Sequence, residues 1–313
     1  MRVLLTGGAG FIGSHLVRRL LSEENEVIVV DNFTLGSQER IDEFMSNPKF
    51  KFYKIDIDNT EEFCNQLKDE RIDIVYHLAA NSDIQKGGKN PSVDWGDTFM
   101  TTYSALELIR RNGIKNLFFA STSAIYGDEK GKLMTEDLGG LQPISYYGGA
   151  KFASEAFISA YTHMNDLNTM IFRFPNVIGP SLTHGVIFDF KKKLEKNPHE
   201  LEILGDGTQT KPYVYVLDLV DAIMMMTKNI PNGVSVYNIG VETATNVTTI
   251  ANIVCEELGY TDVEYKYTGG NIGWKGDVPK FQFDLTKIHD AGWKSSRTSD
   301  DAVRDTVRSI KEK

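Results

Sequence analysis

Tyr147 and Lys151 stand four residues apart in Ser145-Tyr-Tyr-Gly-Gly-Ala-Lys151, and 152–161 continues as a helix-forming run. Four residues is one helical turn, so both side chains fall on one face. A tyrosine of ordinary acidity, pKa about 10, is a poor base near neutrality. An ammonium about 4 Å away favours the phenolate by about 4 kcal/mol at an effective dielectric of about 20. That is worth about three pKa units. The pair therefore predicts a phenolate able to take a proton from an alcohol. Tyr146 lies five residues from Lys151 and points elsewhere. A second polar cluster, Ala120-Ser-Thr-Ser-Ala-Ile-Tyr-Gly127, ends an apolar strand, where Thr122 or a serine neighbour could hold the same substrate oxygen. Each feature alone is common: Tyr-x-x-x-Lys arises by chance in many helices, and a Ser/Thr cluster after a strand also reads as a polar turn.

A third feature gives them context. Thr6-Gly-Gly-Ala-Gly-Phe-Ile-Gly13 follows a strand and opens a helix. Gly7 permits the tight turn, Gly10 lets backbone amides approach a pyrophosphate, and Gly13 lets helix and strand pack closely. Phe11 and Ile12 fall in the first helical turn, where the helix dipole adds partial positive charge. The second strand ends at Asp31, at about the 20-residue distance expected of an acid that accepts hydrogen bonds from ribose hydroxyls. Its carboxylate would repel a 2′-phosphate, and the adjacent Asn32 and Phe33 supply no arginine to receive one. These residues point to NAD in preference to NADP. Asp56 and Ile57, after the third strand, could flank the adenine, although an aspartate there could equally cap a turn.

The elements that must position these groups alternate. Apolar runs at 3–6, 27–31, 50–55, 74–78, 117–121 and 169–174 are separated by helix-period segments such as 13–21 and 99–111. Continuous apolar strands between helices predict a parallel sheet covered on both faces. The fold class expected is α/β, a Rossmann-type doubly wound sheet with ligands at the carboxyl ends of its strands. After Phe174 the prolines and glycines at 175, 180, 198, 205 and 207 cut shorter pieces. These include a strand at 213–216, a helix at 219–227, a strand at 234–239, a helix at 246–258, a glycine-rich loop at 269–276 and an acidic-then-basic final helix. No repeat or long linker separates the two parts.

Composition bounds the partners. The 313 residues carry a net charge of −9, with 41% hydrophobic and 25% charged residues, as in soluble globular chains. An acidic chain lacks the basic footprint of a nucleic-acid binder. No run approaches the length of a membrane helix, and none precedes the first strand as a signal peptide. Cys64 and Cys255 support neither a disulfide framework nor a zinc motif, so no metal is expected. The reading is a cytoplasmic protein acting on a small molecule.

In this order, the nucleotide loop, the strand-end hydroxyls and the Tyr147/Lys151 pair resemble the extended short-chain dehydrogenase/reductase superfamily, and within it the NAD-dependent nucleotide-sugar epimerase/dehydratase branch. The likeness spans essentially the whole chain. It includes His77-Leu-Ala-Ala80, Arg173-Phe-Pro-Asn-Val-Ile-Gly-Pro180, Gly205-Asp-Gly-Thr-Gln209 with Tyr213-Val-Tyr-Val-Leu-Asp218, then Gly276-Asp277-Val278 and Gly292-Trp293. The resemblance implies that Thr122, Tyr147 and Lys151 are catalytic. Thr122 lies 25 residues before Tyr147 and four before Tyr126, which selects it over Ser121 and Ser123. The resemblance further implies cofactor contacts at Leu78, Ala79 and Ala80. Substrate contacts are implied at Ser82, Ser123, Asn176 (on the sugar diphosphate), His184, Lys211, Tyr213, Lys275 and Asp277. A buried structural role is the other reading of His184. An NAD-binding domain of residues 1–175 plus about 213–240 is implied, with a smaller mixed α/β nucleotide-sugar lobe of about 176–212 plus 241–313 that closes over the substrate. A homodimer pairing the helices at 99–111 and 152–161 is also implied, although their apolar residues could equally pack within one subunit.

The departures narrow the activity. The branch's 4,6-dehydratases carry a glutamate two residues after the catalytic threonine, often preceded by an aspartate. Here those positions are Ser123 and Ala124. Alanine cannot remove a C5 proton. The cysteine that epoxide-forming and 3,5-epimerising relatives place near this cluster is absent too. Lys211-Pro212 stands where Arg-Asp is common, and Trp274-Lys275 where an arginine is common; a lysine holds phosphate as a point charge, not a bidentate fork. The expected activity is C4 oxidation of a nucleotide-diphospho-sugar, as a 4-epimerase. The alternative is a net 4-dehydrogenase. A non-catalytic nucleotide sensor is disfavoured because Tyr147 and Lys151 are both intact.

Overall fold

The computed structural model describes residues 1–129, 131–270, 273, 276 and 278–311. It separates into two compact units. The first comprises Met1–Ile125, Leu141–Arg173 and Ile223–Tyr237, the second Tyr126–Gly140, Phe174–Ala222 and Asn238–Lys313.

The first unit is built on a seven-stranded sheet. In spatial order its strands are Phe50–Lys54, Glu26–Asp31, Arg2–Thr6, Ile74–His77, Asn116–Thr122, Asn168–Phe174 and Gly233–Asn238. The first five run parallel, with Val3 opposite Val27 on one side and Ile74 on the other, and His77 opposite Phe119. Val3, Leu4 and Leu5, then Val27 to Val30, are buried without a break. A strand covered on both faces has no solvent side, which is why the sequence there runs continuously apolar. The helices Phe11–Ser22, Thr60–Leu67, Thr101–Asn112 and Tyr146–Asn165 supply the cover. Leu4, Ile28, Phe63, Leu106, Phe119 and Ile158 belong to one core cluster. The strand order turns outward from the Arg2–Thr6 and Ile74–His77 pair, the switch point at which a doubly wound sheet opens a crevice.

Two boundaries differ from expectation. The helix expected at 99–111 starts at Thr101, because Trp95–Met100 winds as a π-helix. The run expected as a strand through Val216 becomes a short strand, Tyr213–Tyr215, and the helix Val216–Met226 starts three residues before its expected position at Leu219.

The second unit joins short strand pairs to helices. Tyr213–Tyr215 pairs in parallel with Asn176–Ile178, Glu264–Tyr267 in parallel with Glu200–Ile203, and Thr210–Lys211 antiparallel with Thr245–Asn246. The helices Val186–Lys196, Val247–Leu258 and Ser299–Lys311 accompany them. Arg297 clips the unit by bonding Asp218 at 3.0 Å and Asp305 at 2.8 Å while lying 4.2 Å from the Tyr215 ring. Among the described residues, no helix is long and apolar enough to cross a membrane.

Candidate functional site

The glycine loop is shaped by contacts that exclude side chains. Gly7 has φ +74°, a backbone region L-residues rarely adopt, and a Cβ there would lie 2.8 Å from the Ala79 nitrogen. At Gly13 a Cβ would meet the Gly7 carbonyl oxygen at 2.2 Å. Gly10 is the N-cap of the helix Phe11–Ser22, and no side chain caps that helix. The first-turn amides of an uncapped helix are free to meet an anion. Phe11 and Ile12 are half-buried in that turn.

Asp31 is buried beside the loop. Its Oδ2 accepts from the Ala9 amide at 3.0 Å and its Oδ1 from the Phe33 amide at 2.8 Å. An ionised carboxylate has about four acceptor sites, so acceptor capacity remains for a ribose hydroxyl. Burial pushes this carboxyl above the usual range, opposed by the Phe33 and Ala9 amides, the charge of Arg40 and the Asn32 amide. Arg40 is a more distant charge that the sequence reading, confined to the neighbours Asn32 and Phe33, did not consider. The chain returns a guanidinium nine residues later, after the turn containing Phe33 at φ 63°. Asn32 is half-buried, Asp56 exposed, and Ile57 buried within the core. Leu78, Ala79 and Ala80 follow the strand Ile74–His77, with the Leu78 amide bonded to the Thr6 carbonyl at 3.1 Å. Ser82 is exposed.

The helix Tyr146–Asn165 places the other pair. The Ser145 side chain caps it by accepting from the Gly148 amide at 3.1 Å. Tyr147 thus enters the first turn and Lys151 the next. Gly148 lets the turn Ser123–Ile125 approach, since a Cβ there would sit 2.5 Å from the Ala124 carbonyl oxygen. That approach brings Thr122 to Tyr147. The Thr122 hydroxyl accepts from the Ala124 amide at 3.2 Å and shares a hydrogen bond with the Tyr147 hydroxyl. Ser123 is half-buried next to it.

The electrostatics differ from the expected balance. Lys151 is 2% exposed, and its Nζ donates to the Ala120 carbonyl at 2.6 Å and lies 4.6 Å from the Phe119 ring. Burial pushes its ammonium down to about 7, with Glu155 pulling the other way. Tyr147 is pushed up to about 12 by burial, with the Thr122 bond lowering it and Asp94 raising it. The spacing argument credited Lys151 with a full charge and Tyr147 with ordinary hydration; desolvation removes both advantages. His77, held between Thr6 at 2.7 Å and Thr102 at 3.1 Å, is pushed down to about 3 by burial and by Lys151, and stays neutral.

Two buried polar arrangements depend on residues that meet only in the fold. Asp94 is 1% exposed; its Oδ1 accepts from the Asn81 side chain at 2.9 Å, and among the described residues its Oδ2 has no partner. Glu155 and Arg173 form a buried ion pair at 2.7 Å.

The expected substrate residues after Phe174 belong to the second unit. Asn176 is exposed, and Lys211 is half-buried. Tyr213 is buried, and its amide donates to the Ser299 hydroxyl at 3.2 Å. His184 is exposed, its Nδ1 3.4 Å from the Thr183 hydroxyl, which corrects the expectation of a buried structural histidine. Lys275 and Asp277 lie outside the described residues.

Comparison with known proteins places these features in a family. The NAD dependent epimerase/dehydratase family matches residues 3–240. The UDP-glucose 4-epimerase of Lactobacillus helveticus is 32% identical, over 97% of this chain and 94% of that protein. Among solved structures, the Thermotoga maritima UDP-glucose 4-epimerase with UDP-glucose shares 31% identity at a TM-score of 0.89, covering 100% of this chain and 99% of that one. A Streptomyces venezuelae dTDP-glucose 4,6-dehydratase with NAD bound shares 27% identity at a TM-score of 0.90, covering 100% and 97%.

Proposed function

The chain belongs to the NAD dependent epimerase/dehydratase family, and from that membership we propose that it is a nucleotide-sugar 4-epimerase whose acid–base group is Tyr147. The observation that carries this reading is the convergence of Thr122, Tyr147 and Lys151, with Ala124 two residues beyond the threonine. The reading as an epimerase over a dehydratase rests on Ala124, which has no group to move a proton at C5.

The first unit fits NAD. The Gly7–Gly13 cradle has no room for a Cβ at either end, the helix behind it is uncapped, and Asp31 retains acceptor capacity. Gly7, Gly10, Gly13, Phe11 and Ile12 would hold the diphosphate, and Asp31 the adenine ribose. Bound there, NAD supplies an acceptor and donor of hydride for C4 of the sugar. Tyr147 takes the C4 hydroxyl proton and returns it to the same oxygen after the 4-keto sugar has turned. Thr122 bonds that oxygen through each stage. The Lys151 ammonium would hold the nicotinamide ribose and, while charged, would favour ionised Tyr147 against the burial that opposes it. We assign Asn176 and Lys211 to the diphosphate of the substrate, and the functional oligomer to a homodimer.

Relatives named for UDP-glucose make that sugar the first to test. The experiment offers UDP-, GDP-, ADP- and dTDP-sugars and reads product stereochemistry together with absorbance of reduced cofactor. A 4-epimer without accumulating reduced cofactor is the expected result. A released 4-keto sugar with stoichiometric reduced cofactor overturns the reading in favour of a net dehydrogenase.

A further inference from the structure

Three consecutive strand residues are each bound by helix residues one turn apart. The Ala120 carbonyl accepts from Lys151 Nζ at 2.6 Å, the Ser121 hydroxyl donates to Glu155 Oε1, and Thr122 bonds Tyr147. Positions 147, 151 and 155 share one helix face. Glu155 is 6% exposed and also accepts from Arg173: Nε at 3.1 and 3.2 Å to its two oxygens and Nη2 at 2.7 Å. Arg173 comes from the strand Asn168–Phe174, which neighbours Asn116–Thr122 in the sheet. One carboxylate thus ties the catalytic helix to two adjacent strands.

Stability alone is a weak reason for such a pair. A buried ion pair is often no better than apolar side chains of the same volume, because desolvating both ions offsets their attraction. Its value here lies in a third group. Lys151 is fully desolvated, and the charges around it are few. His77, facing it from the strand Ile74–His77, is neutral. Tyr147 on the same helix is neutral in this state, and Arg173 is occupied by Glu155. Glu155 is the neighbour whose charge favours the ammonium.

We infer that Glu155 is a positioning residue for the Tyr147–Lys151 pair: bonded to Ser121 and to Arg173 of the neighbouring strand, it fixes the register of residues 120–122 against the helix, one turn from the Lys151 ammonium. The inference rests on the reading of Tyr147 and Lys151 as the acid–base pair. Its oxygens are taken by Ser121 and Arg173, so Glu155 acts through Lys151 and does not touch substrate.

The test breaks one ion pair from its two sides. In protein labelled with 13Cε-lysine, the Lys151 resonance, assigned with Lys151→Met, reports the protonation midpoint. Glu155→Gln lowers that midpoint by about one unit. Arg173→Met removes the opposing charge and leaves the midpoint unchanged or higher. The double variant E155Q/R173M buries no unpaired charge, stays folded, and lowers the midpoint as E155Q does. With UDP-glucose, the alkaline fall in kcat of E155Q moves to lower pH by the same amount while KM is unchanged. Equal downward shifts in E155Q and R173M, or an unshifted midpoint in folded E155Q/R173M, overturn the inference and leave the pair structural. Should the wild type turn over no nucleotide sugar, the functional reading fails, and the resonance midpoint still decides the role of Glu155.

Discussion

Gly13→Ala probes the cofactor cradle with the smallest possible change. The added Cβ would lie 2.2 Å from the Gly7 carbonyl oxygen and 2.7 Å from the Gly8 Cα, against a practical limit of 3.0 Å. Both opposing atoms are backbone, so no rotamer change relieves the contact. The helix must move away from the loop by about 0.8 Å to restore that limit. A shift of that size stretches an ordinary amide hydrogen bond of about 2.9 Å beyond the range in which it counts as one. Hydrogen bonds to charged groups are worth about 1.5–3 kcal/mol each, so losing two weakens NAD binding by about 3–6 kcal/mol, or about 100- to 20,000-fold. Overpacking also lowers stability by about 1–3 kcal/mol. Titration calorimetry with NAD, beside thermal unfolding, measures both. Gly88→Ala is the control, since a Cβ there meets nothing within 4 Å, and it should bind NAD as the wild type does. A folded Gly13→Ala protein that binds NAD within about threefold of wild type would refute the cradle argument.

Asp31→Ala removes the acceptor for the ribose hydroxyls and also leaves the Ala9 and Phe33 amides unpartnered; NAD affinity measured by the same titration should fall about tenfold or more. Thr122→Ala should lower kcat about 10- to 100-fold in steady-state assays, the value of one hydrogen bond to a group that becomes charged. Glu107 is held down to about 2 by Arg110 first and by Tyr161. A carboxyl whose folded pKa lies below its unfolded value stabilises above the unfolded value and loses that stability as pH falls toward the folded one. Urea unfolding should therefore show Glu107→Gln less stable than wild type at pH 7, with the gap narrowing as pH drops from 4.5 toward 2.

Much of the site was legible because its chemistry is local. Gly7, Gly10 and Gly13 are spaced by the turn they make, and Tyr147 and Lys151 by one helical turn. The strands were legible because Val27 to Val30 are buried on both faces and carry no polar alternation. What escaped depends on chain segments meeting from a distance. Arg40 reaches the field of Asp31 only after an intervening turn, so inspecting Asn32 and Phe33 missed it. Glu155 and Arg173, 18 residues apart, become a pair only when the helix packs on the sheet. Burial opposes the expected acidity of Tyr147 and Lys151 for a related reason: spacing predicts who is near, while burial weighs against the charge each can hold. His184 carried no periodic signal, and the structure leaves it at the surface.

The central claim is that Tyr147 moves the proton of the sugar hydroxyl. Tyr147→Phe removes one oxygen and leaves Lys151 bonded to Ala120 and the glycine cradle untouched. With UDP-glucose, or whichever nucleotide sugar the wild type accepts, kcat should fall about a thousandfold, the scale of general acid–base catalysis. NAD affinity and melting temperature should stay close to wild type. Near-normal turnover in the Phe variant would contradict the account at its centre.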